Sequence, residues 1–422
     1  ALLNNTSIPA SYSRLGFVNF SGYFDGFLSD FVAFGTFRTD LGVLSTDVKL
    51  SLAKDIRNST YSGSLNAKRF DLGKFLDIPK LGKLDASVSI ADGKGLTAKS
   101  VRARLTAKLA QIEWDTTSLS SANFSGSIEN GKFNGELSLE DPRIRAVLNG
   151  DVHTGERLTG NLDAKVNHLD LNLFQLSRPE AQIRFSANAR FELGKNNLFN
   201  GFVDASDIHY SDSSHRAVIR QLLFSQSDRG ELRKMSLKSD VVDLEAVGTY
   251  DYNTLPDQVV AFLESKHPGL FASWRSVNQT FDRKTWINGN FLIKDGRVLN
   301  EILQQDYSID KINCDVNLNM LKGELDVRTN SFDARYKDFT LRKAVLKLSS
   351  LNTLSFNLQF DSIRNNQKLL SGKGVLNSDF SINEGLLRLD ISDPLNEIKL
   401  AVLNIGAHYT SDSLLLHVND DA

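Results

Sequence analysis

Apolar and polar residues alternate along most of this chain. Between Ser118 and Val152 one phrase, apolar-x-Gly-x-apolar, occurs three times: Phe124–Gly126–Ile128, Phe133–Gly135–Leu137 and Leu148–Gly150–Val152. Each phrase sets every second residue on one side of an extended chain, which predicts a strand. Asn130-Gly131, between the first two, predicts a hairpin turn. The stretch therefore reads as a β-meander.

The same sentence runs outward in both directions. On the N-terminal side it predicts strands through Phe20–Gly26, Phe31–Phe37, Leu44–Leu52, Tyr61–Ala67 and Leu84–Ile90, a turn at Asp92-Gly93, and a strand through Val101–Leu109. Gly at alternate positions in the first two strands suggests a close backbone approach or a bend. On the C-terminal side follow Leu158–Val166, Ile183–Leu193, Phe199–Val203 and Val242–Tyr252, then Ile287–Phe291, Ile312–Met320, Leu321–Gly323–Leu325, Leu354–Phe360 and Leu414–Val418. In 183–193 the residues Arg184, Asn188, Arg190 and Glu192 take the other face, which argues for an antiparallel sheet with one side in water.

Two places break the alternation. Residues 71–79 read as one helical turn stopped by Pro79, and 255–271 as a short helix with Pro256 in its first turn and Pro268 at its end. Polar, unpatterned residues 276–284 place a boundary near 275. The expected organisation is an N-terminal segment 1–16, a β segment 17–275, and a second β segment 276–422 continuing the same sheet. The fold class is all-β, a long antiparallel meander with one short helical insertion. No fixed-length repeat is present.

Charge adds an exclusion. Lys and Arg number 49 against 51 Asp and Glu, without a basic block, so a nucleic-acid partner is not expected. The single cysteine, Cys314, has no internal disulfide partner and reads as a small buried residue. No apolar run exceeds residues 259–263, far short of the ~18 residues of a membrane span. Starting at Ala1 without Met or signal peptide, the chain reads as an internal piece of a longer protein, with any membrane anchor outside it.

Candidate chemistry is sparse. Ser51 and Lys54 match an SxxK string, but a strand puts positions i and i+3 on opposite faces, and the companion strings are missing. Lys83 follows Gly82 as in a phosphate loop, yet Asp77 and Leu84 stand where that loop needs Gly and Ser or Thr. His209 and His215, with Asp212 between, are explained by a polar turn more simply than by a metal site. The expectation is a protein without catalytic residues, metal or cofactor.

The apolar face then becomes the main feature. It has two readings: a core covered by a second layer, or an open groove that receives apolar ligands, larger than a soluble monomer normally exposes. For the groove, Leu105, Leu148, Ile183, Phe185, Phe191 and Leu244 are the candidate lining residues, because their strands alternate most cleanly.

A resemblance bears on this choice. Residues 118–152, together with Phe20–Ala33, Gly35–Gly42, Phe70–Leu76, Leu81–Leu84, Gly93–Leu96, Asp141-Pro142 and Leu169–Leu173, resemble in their order the TamB (translocation and assembly module) family in its Bacteroidota form, within the AsmA-like superfamily. The likeness covers roughly residues 15 to 265. Arg143 follows Asp141-Pro142 where the family phrase has Asn. The resemblance implies a curled β groove (a half-pipe, or β-taco) in the periplasm of a Gram-negative cell, in a parent protein anchored in the inner membrane. It implies an outer-membrane partner of the Omp85 class and phospholipid transport between the membranes. A scaffold for outer-membrane barrel assembly is the alternative, and a structural β-protein with a closed core a third. The family carries no catalytic residues.

Overall fold

The computed structural model describes residues 10–27, 29–97, 100–115, 117–174, 180–194, 198–252, 254–266, 280–303, 307–350, 354–365, 368–379, 384–393, 398–409 and 413–419. The chain is all-β and almost wholly antiparallel meander. Packing divides it into two units, residues 1–197 with 208–214, and 198–207 with 215–422.

Unit 1 contains β1 (Val18–Phe27), β2 (Asp30–Thr39), β3 (Gly42–Ser51), β4 (Thr60–Asp71), helix α1 (Leu72–Leu76), β5 (Leu81–Lys94), β6 (Arg102–Trp114), β7 (Thr117–Glu129), β8 (Lys132–Asp141), β9 (Ile144–Thr154), β10 (Leu158–Asp170) and β11 (Gln182–Leu193). Each strand pairs antiparallel with the next, from β1 to β11. The Asn130-Gly131 hairpin forms as expected, with φ of 52° and 79°, the left-handed pair that suits a tight two-residue turn. Helix α1 is the turn expected at 71–79. Asp71 caps its start by accepting from Lys74 N at 2.9 Å, and left-handed Asp77 ends it before Pro79. Arg14 ties the segment before β1 to this helix through Asp77 at 2.9 Å.

A line of β-bulges crosses unit 1. Ala67 pairs with Ala86 and Phe70 with Leu84, so two residues of β4 face one of β5, and Arg69 there has φ 47°. Leu109 and Ile112 in β6, Leu119 and Ala122 in β7, and Val166 and Leu169 in β10 show the same three-residue apolar spacing. An extra residue reverses the parity of a strand, so the step of three keeps the same face apolar beyond each bulge. The donors freed there are taken by carboxylates of neighbouring strands: Arg69 N donates to Asp85 at 2.6 Å and Ser120 N to Asp141 at 2.8 Å. Burial concentrates beside this line, at Phe70, Leu84, Ala122, Ala146 and Val166.

β12 (Phe199–Ser211) has residues in both units. Unit 2 continues with β13 (Arg216–Arg229), β14 (Leu232–Ser239), β15 (Val242–Thr249), α2 (Leu255–Lys266), β16 (Trp286–Ile293), α3 (Gly296–Leu303), β17 (Tyr307–Asp310), β18 (Asn313–Asn319), β19 (Glu324–Thr329), β20 (Phe332–Tyr336), β21 (Phe339–Ser350), β22 (Leu354–Asn365), β23 (Lys368–Asp379), β24 (Glu384–Asp393), β25 (Ile398–Tyr409) and β26 (Leu414–Asn419). The ladder runs β13-β14-β15-β16-β18-β19-β21 and on to β26, while β17 and β20 pair beside it and join at β21.

Helix α2 matches the expected insertion, although its expected end and the boundary near 275 lie outside the described residues. The ladder passes directly from β15 to β16, with Gly248 opposite Ile287. Three expectations change. Asp92-Gly93 is not a turn but lies inside β5, where Asp92 has φ 53° and its carboxylate pairs with Arg104. Leu321 and Gly323 form the turn between β18 and β19 rather than a strand, because Gly323 is left-handed at φ 71°. Helix α3, beginning just after Asp295 accepts the Arg297 N–H at 3.1 Å, stands where no helix was expected.

Candidate functional site

In an antiparallel sheet, residues directly opposite share a face, so the register extends one strand's pattern to the next. From Gly22 the row runs Gly35, Thr46, Leu65, Val88, Ala107, Phe124, Leu137, Leu148, Ala164 and Ala187, across β1 to β11. The row on one side starts at Phe20–Phe37–Leu44 and ends at Ala146–Val166–Phe185. On the other side it starts at Phe24–Ala33–Val48 and ends at Gly150–Leu162–Ala189. Thr46 is the only member of these rows that is neither apolar nor glycine. Every large side chain in the Gly22 row is half-buried rather than buried. Within unit 1, no helix or second sheet packs across these rows among the described residues.

Five of the six candidate lining residues fall on this face. Leu105 lies between Ile90 and Gly126, and Leu148 between Leu137 and Ala164. Ile183 faces Leu169, Phe185 faces Val166, and Phe191 faces Gly160. Leu244 stands between Leu237 and Phe291 on the apolar face of unit 2. All six are half-buried.

The glycines of the repeated phrase leave room for rings. A Cβ on Gly126 would lie 2.9 Å from the Phe124 ring, and one on Gly135 would lie 3.2 Å from it, so a single ring lies over both. Phe20 covers Gly22 and Gly35 in the same way, and Phe191 covers Gly160. Phe, Gly and Gly thus form one packing unit spanning adjacent strands, and bending is not the only reason for glycine there.

The opposite face is a polar lattice. Asn188 Nδ2 donates to Asp163 at 2.7 Å, Arg190 Nε to Asn161 at 2.8 Å, and Ser87 Oγ to Asn66 at 2.5 Å. Among the described residues the pattern fails most at the first hairpin, where Tyr23 (80% exposed), Phe27 (81%) and Phe34 (60%) occupy the outward side of β1 and β2. Among the described residues, β1 pairs only with β2, which leaves its other edge open.

In unit 2 part of the apolar face is covered. Phe262 of α2 is fully buried on Leu318, Met320 and Leu325, with Val259, Leu263, Ile287 and Val327 around it. At the neighbouring end of the face the pattern turns polar. Gln226 pairs opposite Met235, so its parity places Gln226 and Asp228 on the apolar side, as it does Arg233 opposite Gly248. Asp228 is buried and accepts from Gln226 Nε2 at 3.0 Å and Phe199 N at 3.1 Å. The Arg233 guanidinium lies 5.0 Å from the centre of the Tyr252 ring, which meets the Tyr250 ring edge-on at 5.3 Å. Sequence reasoning missed this group because the polar residues interrupt the alternation and hide β13 and β14.

The other candidates lie in strand ends and turns. Asp212 accepts from the Tyr210 hydroxyl at 2.7 Å and from Ser214 N at 2.8 Å, an ordinary turn between the two histidine positions. Ser51 closes β3 and Lys54 lies beyond it. Cys314 faces Phe291, and burial raises its thiol pKa. Among the described residues, no three metal-ligating side chains gather, and no helix is long and apolar enough to cross a membrane. No family model matches the chain, and neither the curated proteins nor the solved structures contain a match.

Proposed function

We propose that the apolar face of unit 1 is a track for the acyl chains of phospholipid, and that the chain is a non-enzymatic segment of a TamB-like bridge between bacterial membranes. The carrying observation is the set of apolar rows continuous from β1 to β11, half-exposed and uncovered within unit 1. Such a surface binds chains by non-directional contact, which holds them without fixing one position. The charged lattice on the other side keeps the sheet wetted. The resemblance to TamB-like proteins supports a periplasmic setting, an inner-membrane anchor on the parent protein, and an Omp85-class partner at the outer membrane. The test is a photo-crosslinker at Phe185 or Leu148, with Arg184 and Glu136 as outward controls. Phospholipid adducts from the inward sites alone are expected; equal labelling of both sets in folded protein overturns the track.

The open edge of β1 favours a second reading, a scaffold that pairs with incoming barrel strands. Val18–Phe27 contains no Lys, Arg or Pro, the residues that usually block edge pairing, and exposes aromatic rings on both faces. Crosslinks from Asn19 to unfolded barrel protein, abolished by proline at Phe24, whose N–H faces the open edge, would support it. The covered patch under α2 is the local counterpart of the closed-core reading.

A further inference from the structure

We infer that Arg233, Tyr250 and Tyr252 form a binding site for the phosphodiester head of an amphiphile whose chains lie on the adjoining apolar face of unit 2. This rests on the reading of the face as an acyl track and adds to it a fixed polar station. Arg233 shares its strand parity with Met235 and Leu237, so its charge enters the apolar side, directly opposite Asp228. Its guanidinium lies over the Tyr252 ring, and its fork carries more N–H donors than that phenol can accept.

A second observation is independent of the arginine. The Tyr250 side chain is only 6% exposed, and its hydroxyl, beside Tyr252, has no hydrogen-bond partner among the described residues. Buried hydroxyls are normally satisfied, and one left open beside a cation marks the place of a missing acceptor. Burial raises the pKa of both phenols, Tyr252 raises that of Tyr250 further, and the Asp228 charge adds to both against Arg233, so both stay protonated and able to donate. The Asp228 carboxylate is held by Gln226 and Phe199 N and serves to balance Arg233. A phosphodiester is the anionic group of the amphiphile that the apolar face would carry, and its non-bridging oxygens can accept the arginine fork and a phenol together.

The test measures binding of dihexanoyl phosphatidylglycerol, dihexanoylglycerol and inorganic phosphate to the whole chain by titration calorimetry. The phosphate-bearing lipid should bind about tenfold tighter than the diacylglycerol of equal chains. Arg233→Gln and Tyr250→Phe should each erase most of that difference and leave diacylglycerol binding unchanged, while Arg184→Gln does neither. Tyr250→Phe also removes an unsatisfied hydroxyl, so it should fold at least as well as the parent and cannot fail through unfolding. Equal binding of the two lipids, or a preference untouched by both substitutions, overturns the site but leaves the track standing. Binding of neither lipid overturns both. Inorganic phosphate bound as tightly as the lipid, and lost on Arg233→Gln, shows a free-phosphate site and overturns the amphiphile.

Discussion

Asp141 shows how much a single side chain carries in this fold. Burial alone would raise its pKa, but hydrogen bonds from Arg143 and Ser120 outweigh this and bring it to about 2. A depression of that size corresponds to about 2 kcal/mol of stability. Because the folded value lies below the unfolded one, the contribution is full above about pH 4 and is lost as the pH falls toward 2. Asp141→Asn should therefore lower neutral-pH stability by about that amount and flatten the acid limb of a denaturation-against-pH curve. Gly135 is a second sensitive point: a Cβ there meets Ser125 O at 2.5 Å and Gly126 Cα at 2.8 Å as well as the Phe124 ring. Gly135→Val should cost more than 1 kcal/mol, whereas Gly155→Ala, in an open turn, should be near neutral in chemical denaturation. Asp141-Pro142 and the glycines were visible in the sequence as recurring phrases. Their tasks, holding a bulge donor and sharing a ring with the next strand, depend on the register and were not.

Among elements, the strands with clean period-two alternation were the legible ones. Some strand ends were misplaced, because a step of three, as from Ala67 to Phe70, reads as the end of a strand when it is a bulge inside one. In β13, Gln226 and Asp228 replace apolar residues, and in β21 left-handed Lys343 interrupts the alternation while its N–H donates to Asp333 at 2.8 Å. Helix α3 escaped because its residues, packed on β13 and β17, are too few to show a period. Helix α2 was legible from its prolines, but not its position on the apolar face. Phe262→Ala should destabilise unit 2 by about 3–5 kcal/mol. Phe262→Leu should recover most of the loss in urea titration. The same pair probes the track: if α2 competes with chains for the face, Phe262→Ala should raise the yield of lipid adducts at Leu318.

At the scale of the molecule, the apolar face was foreseeable as a pattern, and its candidate residues Leu105, Leu148, Ile183, Phe185 and Phe191 share one side because their strands pair in sequence order. The placement of Arg233 on the apolar side was not foreseeable, since nothing local distinguishes it from an outward charge. Strand order has a further consequence. In unit 1 each strand touches chiefly its two sequence neighbours, and the rows meet again at every crossing. Excising β8 and β9 together would bring Phe124 opposite Ala164, an apolar pair in the same row, with strand polarity preserved. Such a variant should retain far-UV β signal and inward lipid adducts at Phe185, while loss of Asp141 costs it stability. Each hairpin adds about 10 Å to the sheet without altering its chemistry. Length in such a sheet is an adjustable dimension, counted in hairpins like the marks of a ruler, and it changes by inserting or deleting whole marks.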